Sequence, residues 1–364
     1  MKTNNQQGME VMQPRPVNAE TIVLGIETSC DETAAAVVRN GREVLSNSVY
    51  SQIEHHRPHG GVVPEIASRC HVEALPGIVE DALRDAGIRW TDIDLVAATR
   101  GPGLASSLLV GWSAAKGLAR RLGKPLCAVN HVVAHIHSVF LDPEAPDPCD
   151  ALPLAALVVS GGHSSFFRAR EFGRFVLEGR TIDDAAGEAL DKAAKLLGLG
   201  YPGGPVIDQL ARSVTLGAVN FPDGRIKPTS TVLGSLRAEL CFSFSGLKTS
   251  LQRRLQLTPP PSSEAVAALA AEYQEAVVDA LVGRCAIALE RDAQFLAVGG
   301  GVSLNSRLRE KLRTLCAASG IRLLLAKPEH CGDNAAMIAG AAGMGLGLFG
   351  EEVFGLDIAP SWEP

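Results

Sequence analysis

The 364-residue chain is poor in aromatic residues, at 5%, and none of its cysteines form a C-x-x-C pair. The eight cysteines stand singly at 30, 70, 127, 149, 241, 285, 316 and 331. That scatter excludes a zinc ribbon or a redox dithiol and fits reduced thiols in the cytoplasm. No apolar run approaches the ~18 residues of a membrane span, so no membrane partner is expected. Residues 1–20 are polar and lack an apolar centre; they read as a disordered N-terminal extension, not a signal peptide. Charge of one sign is not in excess. A formal net charge of −6 gives no support for a broad nucleic-acid-coating surface, although local basic patches remain open. The G-x-x-x-x-G-K-[ST] pattern is missing, so a nucleotide site here is not of the P-loop type.

What is present is a chain 46% hydrophobic, with 37 glycines, in which Ala, Leu, Val and Gly dominate. Its length predicts two domains or one α/β domain with two lobes. Ile22 to Ile26 reads as a buried strand that ends in the polar turn 27–33. Strands at 34–38 and 44–49 continue it as a meander. A helix is expected over Pro64–Ala86, a strand over 95–99, a helix over 104–122 and a strand over 126–129. The Pro- and Asp-rich stretch 142–153 is the clearest linker. After it, Leu154 to Val159 restarts the opening pattern: strand, polar glycine-containing turn, strand. The expected organisation is a first lobe over 21–150 and a second over 151–333. The small-residue helix 334–350 is expected to pack back on the first lobe.

Two features point to chemistry. His131 and His135 stand four apart in a run without Pro or Gly; on a helix they share one face, roughly 6 Å apart along the axis. With nine histidines in the chain that spacing alone is unexceptional, but it is bidentate spacing for a divalent metal. A third ligand must then come from elsewhere, and Asp333 is the best candidate. His137 lies about 200° around the helix from His135 and points away. His55 and His59 repeat the spacing, but Pro58 interrupts them, and 54–61 reads as a solvated loop. The second feature is the turns at strand ends, Ser160-Gly161-Gly162 and Gly299-Gly300-Gly301. There backbone N–H groups can meet phosphate, or the glycines serve only a tight turn.

Taken in order, the stretches Leu24–Thr33, Asn130–His135, Val159–His163, Ile182–Lys192, Tyr201–Pro205, Phe242–Thr249, Gly299–Asn305 and Cys331–Asn334 closely resemble the bacterial TsaD family, the tRNA N6-adenosine threonylcarbamoyltransferases. The resemblance covers nearly everything from Thr21 to Gly350. It implies an α/β, actin-like (sugar kinase/heat-shock ATPase) fold of two lobes with a central ligand cleft. It also implies transfer of threonylcarbamoyl from threonylcarbamoyl-adenylate to N6 of adenosine 37 in tRNAs reading ANN codons. His131, His135 and Asp333 fall on the family's metal positions, which take Fe(2+) or Zn(2+), one per chain. Val158, Val159, Ser160, Gly161, Gly162, Asp191, Gly204, Asp208 and Asn305 fall on its substrate positions. The implied partners are tRNA, a smaller paralogue of the same fold (TsaB-like) and a P-loop ATPase (TsaE-like).

Residue chemistry agrees with this. Asp191 and Asp208 suit ribose hydroxyls, and Asn305 offers donor and acceptor. Asp31 or Glu32, at the tip of the first hairpin, could take the proton lost by N6, or could be plain turn residues. The basic clusters Lys116/Arg120/Arg121/Lys124, Arg253/Arg254 and Arg307/Arg309/Lys311/Arg313 are candidates for tRNA or solvated faces. Gly332 stands where the family often has Thr, and His330 is a spare potential ligand. Three other readings compete. A zincin-type protease needs Glu directly after its first His, and Val132 stands there. A small-molecule kinase of the same fold leaves the histidine pair without a purpose. A nucleotide-gated scaffold would simply bury it at a lobe interface.

Overall fold

The computed structural model describes residues 20–217, 221–226, 233–234 and 236–363. The expected extension 1–20 therefore falls, apart from Glu20, outside the described residues. The first half runs β1 (Ile22–Glu27), β2 (Glu32–Arg39), β3 (Glu43–Ser51), α1 (Ile53–His56), α2 (Pro64–Ala86), β4 (Leu95–Gly101), α3 (Ala105–Leu122), β5 (Leu126–Asn130) and α4 (His131–His137). The second runs β6 (Leu154–Val159), β7 (Ser164–Glu171), β8 (Arg174–Arg180), α5 (Ala186–Leu196), α6 (Gly203–Ala211), α7 (Ser245–Leu257), α8 (Ser263–Leu289), β9 (Phe295–Gly299), α9 (Ser306–Ser319), β10 (Arg322–Leu325) and α10 (Ala335–Gly343).

Each half holds one five-stranded sheet, in the orders β3-β2-β1-β4-β5 and β8-β7-β6-β9-β10. In both, an antiparallel three-stranded meander is extended by two parallel strands that arrive through helical crossovers. The same topology thus occurs twice. The central strands β1 and β6 are buried along their whole length, which is why they read as continuous apolar runs.

Alternation along these strands shows what covers each face. Ile22, Leu24 and Ile26 pack with Leu75 and Val79 of α2 and Trp112 of α3. On the opposite face Val23 packs with Ala335, Ile338 and Ala339 of α10. In the second sheet Ala155, Leu157 and Val159 face α5 and α8, whereas Leu154, Ala156 and Val158 face Val132 and Ile136 of α4. The covering helices are exchanged. α4, which follows the first sheet, covers the second, and α10, which follows the second, covers the first. This exchange brings the start of α4 beside the residues that lead into α10.

Close approach explains the small residues here. A Cβ on Gly299 would stand 2.3 Å from the His135 carbonyl, so the end of β9 presses directly on α4. Gly300 adopts φ of +92°, and a Cβ there would stand 2.2 Å from the Val159 carbonyl. These two glycines serve packing.

Two expectations need correction. The segment 54–61 is not a solvated loop: α1 and the 3-10 turn Arg57–His59 form there, and His56 is fully buried. Pro58 stands second in this short 3-10 turn, near its N-terminus, where its missing N–H costs little. The last helix, expected over 334–350, stops at Gly343, because Gly345 takes φ of +80° and Leu348 bridges to Ala128.

His137 lies on the far side of α4, as the spacing indicated. Its Nε2–H donates to the Gly41 carbonyl at 2.9 Å, and its Nδ1 is buried without a partner among the described residues. Burial depresses its pKa from 6.5 to about 4. A histidine depressed in the folded state binds fewer protons there than when unfolded, so stability is complete above pH 6.5 and is lost as pH falls toward 4. The difference amounts to roughly 3 kcal/mol. Urea midpoints across this pH range should fall accordingly, and His137→Gln, which keeps the donor but cannot titrate, should flatten that part of the slope. Equal slopes for the two proteins would overturn the assignment.

Candidate active site

α4 begins on His131 itself. The Asn130 side chain accepts from Val132 N at 2.9 Å and Val133 N at 3.2 Å, which caps the helix and fixes where His131 starts. One turn later His135 follows, with its ring at 81° to that of His131 and 4.7 Å away. Asp333 sits between them. Its Oδ1 is 3.4 Å from His131 Nε2 and 3.1 Å from His135 Nε2. The three donor atoms lie within 4.8 Å of one another, and among the described residues no other group of three or more such side chains does so. His137 and His330 take no part in the group.

Glu27, at the buried end of β1, completes the centre and was not singled out from the sequence. Its Oε2 is 3.0 Å from His131 Nδ1 and also accepts from the Thr99 hydroxyl at 2.6 Å, while its Oε1 accepts from Ser29 N. A carboxylate facing Nδ1 keeps the proton on that nitrogen and leaves Nε2 with a free lone pair. The available signal was a lone acid closing an otherwise apolar strand.

The electrostatics ask for a cation. Burial opposes charge on Asp333, yet His131 and His135 hold it well below the carboxylate range. Burial likewise opposes an ionised Glu27, and His131 again lowers it. Burial opposes a charged His131, but Asp333 and Glu27 raise it well above its ordinary value. Burial keeps His135 low. Two imidazole nitrogens and the Asp333 carboxylate on one point suit a divalent ion, with Glu27 behind His131 on its Nδ1 side as a second negative charge. The donor set therefore fits the implied metal.

A cavity of about 610 Å³ opens in front of this centre and is lined from both halves. The first half contributes Ser29, Cys30, Asp31, Glu32, Ile53, Pro102, Gly103, Leu104 and His131. The second contributes Ser160, Gly161, Gly162, His163, Asp191, Tyr201, Gly204, Asp208, Asn305, Gly332 and Asp333. Val158 and Val159 do not line it; their side chains are fully buried. Gly161 and Gly162 have nothing within 4 Å of an added Cβ, and neither has Gly301, which also lines the cavity; Gly299 and Gly300 are the filled positions.

The polar residues are already partly engaged. Asp191 Oδ1 accepts from Gly203 N at 2.7 Å and Gly204 N at 3.3 Å, at the start of α6. Asp208 Oδ1 accepts from Ser306 N and its hydroxyl, and Oδ2 from Arg212 at 2.7 Å. Asn305 caps α9 through Leu308 N and donates to Gln274 Oε1 at 2.8 Å. Glu32 is held well above the carboxylate range, first by burial and then by the neighbouring Asp31 and Asp333.

Many of the basic residues are neutralised within the chain. Arg307 pairs with Glu275 and Glu310, and Lys311 with Glu275 and Asp279. Arg254 pairs with Glu272 and Arg120 with Glu351. Arg309 donates to the Ser303 and Ala326 carbonyls and to Cys331 Sγ, and so braces the turn before Asp333.

A family model for TsaD, tRNA N6-adenosine threonylcarbamoyltransferase, matches residues 43–340. The chain belongs to this family. The protein of that name from Syntrophus aciditrophicus is 50% identical over 320 residues, spanning 87% of this chain and 90% of the relative. The one from Symbiobacterium thermophilum is 48% identical over 324 residues, spanning 89% and 91%. Among solved structures, HypF of T. kodakarensis superposes with a TM-score of 0.56 at 16% identity, over 91% of this chain and 48% of that one. The fold is actin-like, and the chain is a transferase of tRNA modification. No helix among the described residues is long and apolar enough to cross a membrane.

The buried Glu27–His131 contact yields a direct test. Glu27→Gln keeps the shape but weakens the hold on the Nδ1 proton, and zinc affinity measured by chelator competition should fall about 10- to 100-fold. Unchanged affinity would show that Glu27 does not support the centre.

Proposed function

We propose that the cavity transfers threonylcarbamoyl from threonylcarbamoyl-adenylate to N6 of adenosine 37 in tRNAs reading ANN codons, releasing AMP. The observation that carries this is the meeting, in one cavity, of the His131–His135–Asp333 centre with the open Ser160–Gly162 turn and the acidic Asp31–Glu32 pair. The lobes are residues 21–150 together with 334–350, and residues 151–333.

In this reading the Ser160-Gly161-Gly162 backbone receives the adenylate phosphate, where no side chain crowds it. The remaining oxygen of Asp191 has no protein partner among the described residues and suits a ribose hydroxyl. Asp208 reaches the ribose by exchanging Arg212, whose side chain is largely exposed. Asn305 keeps the start of α9 in place at the cavity wall. His131, His135 and Asp333 would hold iron(II), or zinc in its place, which would supply a Lewis acid for the carbamoyl carbonyl and a template for the phosphate. The exocyclic amine of adenine is a poor nucleophile, because its lone pair is delocalised into the ring. Positioning of that amine is therefore a main burden of the site. Asp31 or Glu32 accepts the proton that N6 loses. The reaction belongs to the cytoplasm, where tRNA is found. A TsaB-like paralogue and a TsaE-like ATPase serve as partners, and a partner surface compensates for the chain's paired basic residues.

The decisive assay incubates the protein and its partners with threonylcarbamoyl-adenylate and unmodified tRNA, then digests the RNA and measures threonylcarbamoyladenosine by mass. Wild type should form product, and His131→Ala should lower the rate roughly a hundredfold or more. Metal analysis should find about one iron or zinc per chain, lost in the His131→Ala/His135→Ala double variant. No product from wild type, or undiminished product from His131→Ala, would overturn the reading.

A further inference from the structure

Asp31 and Glu32 stand on a tight turn, and such a turn needs something to hold it. The histidine-rich segment after β3 supplies a fully buried hydrogen-bond chain that ends there. Val63 N–H donates to His56 Nδ1 at 3.2 Å, and His56 Nε2 lies 3.2 Å from Gln52 Oε1. Gln52 Nε2 lies 3.2 Å from His71 Nδ1, where the Thr33 hydroxyl also reaches at 2.8 Å. His71 Nε2 lies 3.0 Å from the Cys30 carbonyl.

Both ends of this chain have forced roles, since a backbone N–H can only donate and a carbonyl can only accept. His56 is therefore protonated on Nε2, the Gln52 amide points its oxygen to His56 and its nitrogen to His71, and His71 is protonated on Nε2. Every link has one direction, and each matches its neighbour. The Gln52 backbone N–H adds a bond to the Asp31 carbonyl at 3.0 Å. Two consecutive carbonyls of the acidic turn are thus gripped by one network. His56, Gln52 and His71 have no exposed surface, so water does not compete for these bonds.

We propose that the His56–Gln52–His71 chain is a positioning device for the acidic turn, with His71 as the positioning residue that sets where the Asp31 and Glu32 carboxylates stand in the cavity. The inference rests on the transfer reading of that cavity. It also gives a role to a histidine cluster that no metal or substrate contact explains.

The test compares His71→Phe, which keeps ring volume but removes both nitrogens, with His71→Gln, which can still donate to the Cys30 carbonyl. In the transfer assay His71→Phe should lower kcat about 10- to 100-fold, as expected for reacting groups displaced by up to ~1 Å. KM for threonylcarbamoyl-adenylate should change less than about threefold, metal content should stay at wild type, and His71→Gln should recover most of the rate. Should His71→Phe fail to fold, Gln52→Met removes a donor at His71 Nδ1 and carries the same expectation. In an Asp31→Ala/Glu32→Ala background, already slow, His71→Phe should cost nothing further. Losses that simply multiply would overturn the positioning role while leaving the acidic pair's role intact. An Asp31→Ala/Glu32→Ala protein as fast as wild type would remove the acidic pair from the reaction and this inference with it.

Discussion

The structure turns on the burial of two carboxylates around one imidazole. Glu27 has no exposed surface, Asp333 has little, and His131 lies between them. A carboxylate out of water is costly unless it is paired, and here the pairing is shared through a ring that both acids touch. This arrangement works only if β1, α4 and the segment before α10 meet at one point. The exchange of covering helices between the two sheets makes them meet. The cap from Asn130, the bare Gly299 against the His135 carbonyl and the brace from Arg309 each remove one way in which the three segments could slip. The apolar packing of Val132 and Ile136 on the second sheet, about 1.5–3 kcal/mol for each buried side chain, anchors the opposite side of the same helix.

How much of this was legible from the chain depends on the local physics of each part. Central strands were legible because both faces are covered, which forces a continuous apolar run such as Leu154–Val159. The histidine pair was legible because helical spacing is a local property. Asp333 could be nominated, but its distance from His131 could not be read, because it depends on how two helices far apart in the chain exchange sheets. Glu27 was overlooked because a polar residue at a strand end usually marks the turn to solvent. Only the tertiary structure shows that β1 ends inside the protein. The segment 54–61 misled for a related reason. Pro58 does break a helix, yet a 3-10 turn tolerates it, and one turn suffices to bury His56.

The glycine turns show why a motif alone does not separate packing from binding. Ser160-Gly161-Gly162 and Gly299-Gly300-Gly301 look equivalent as sequence. In the structure an added Cβ would meet nothing at Gly161 and Gly162, but backbone at Gly299 and Gly300. The first turn has open cavity in front of it. The second is thin at Gly299 and Gly300 because another segment already fills that space, whereas its Gly301 is open and lines the cavity. Only the environment distinguishes the filled positions, Gly299 and Gly300 behind α4, from the open ones, Gly161, Gly162 and Gly301, on the cavity.

The repeated topology sharpens the same point. β1 leads to β2 through residues 28–31, and β6 leads to β7 through residues 160–163. Both turns line one cavity, from opposite halves. Strand residues are constrained in both copies by burial on two faces, so the copies share an apolar pattern without sharing residues. The tips are not covered by this two-faced sheet packing and carry different chemistry. One is acidic and held at its carbonyls by a hydrogen-bond chain through His56, Gln52 and His71. The other is built of glycine and leaves its backbone bare. A transfer reaction needs a rigid acceptor of protons on one side and an uncrowded seat for an anion on the other. In the proposed transfer the first tip takes the proton and the second seats the anion.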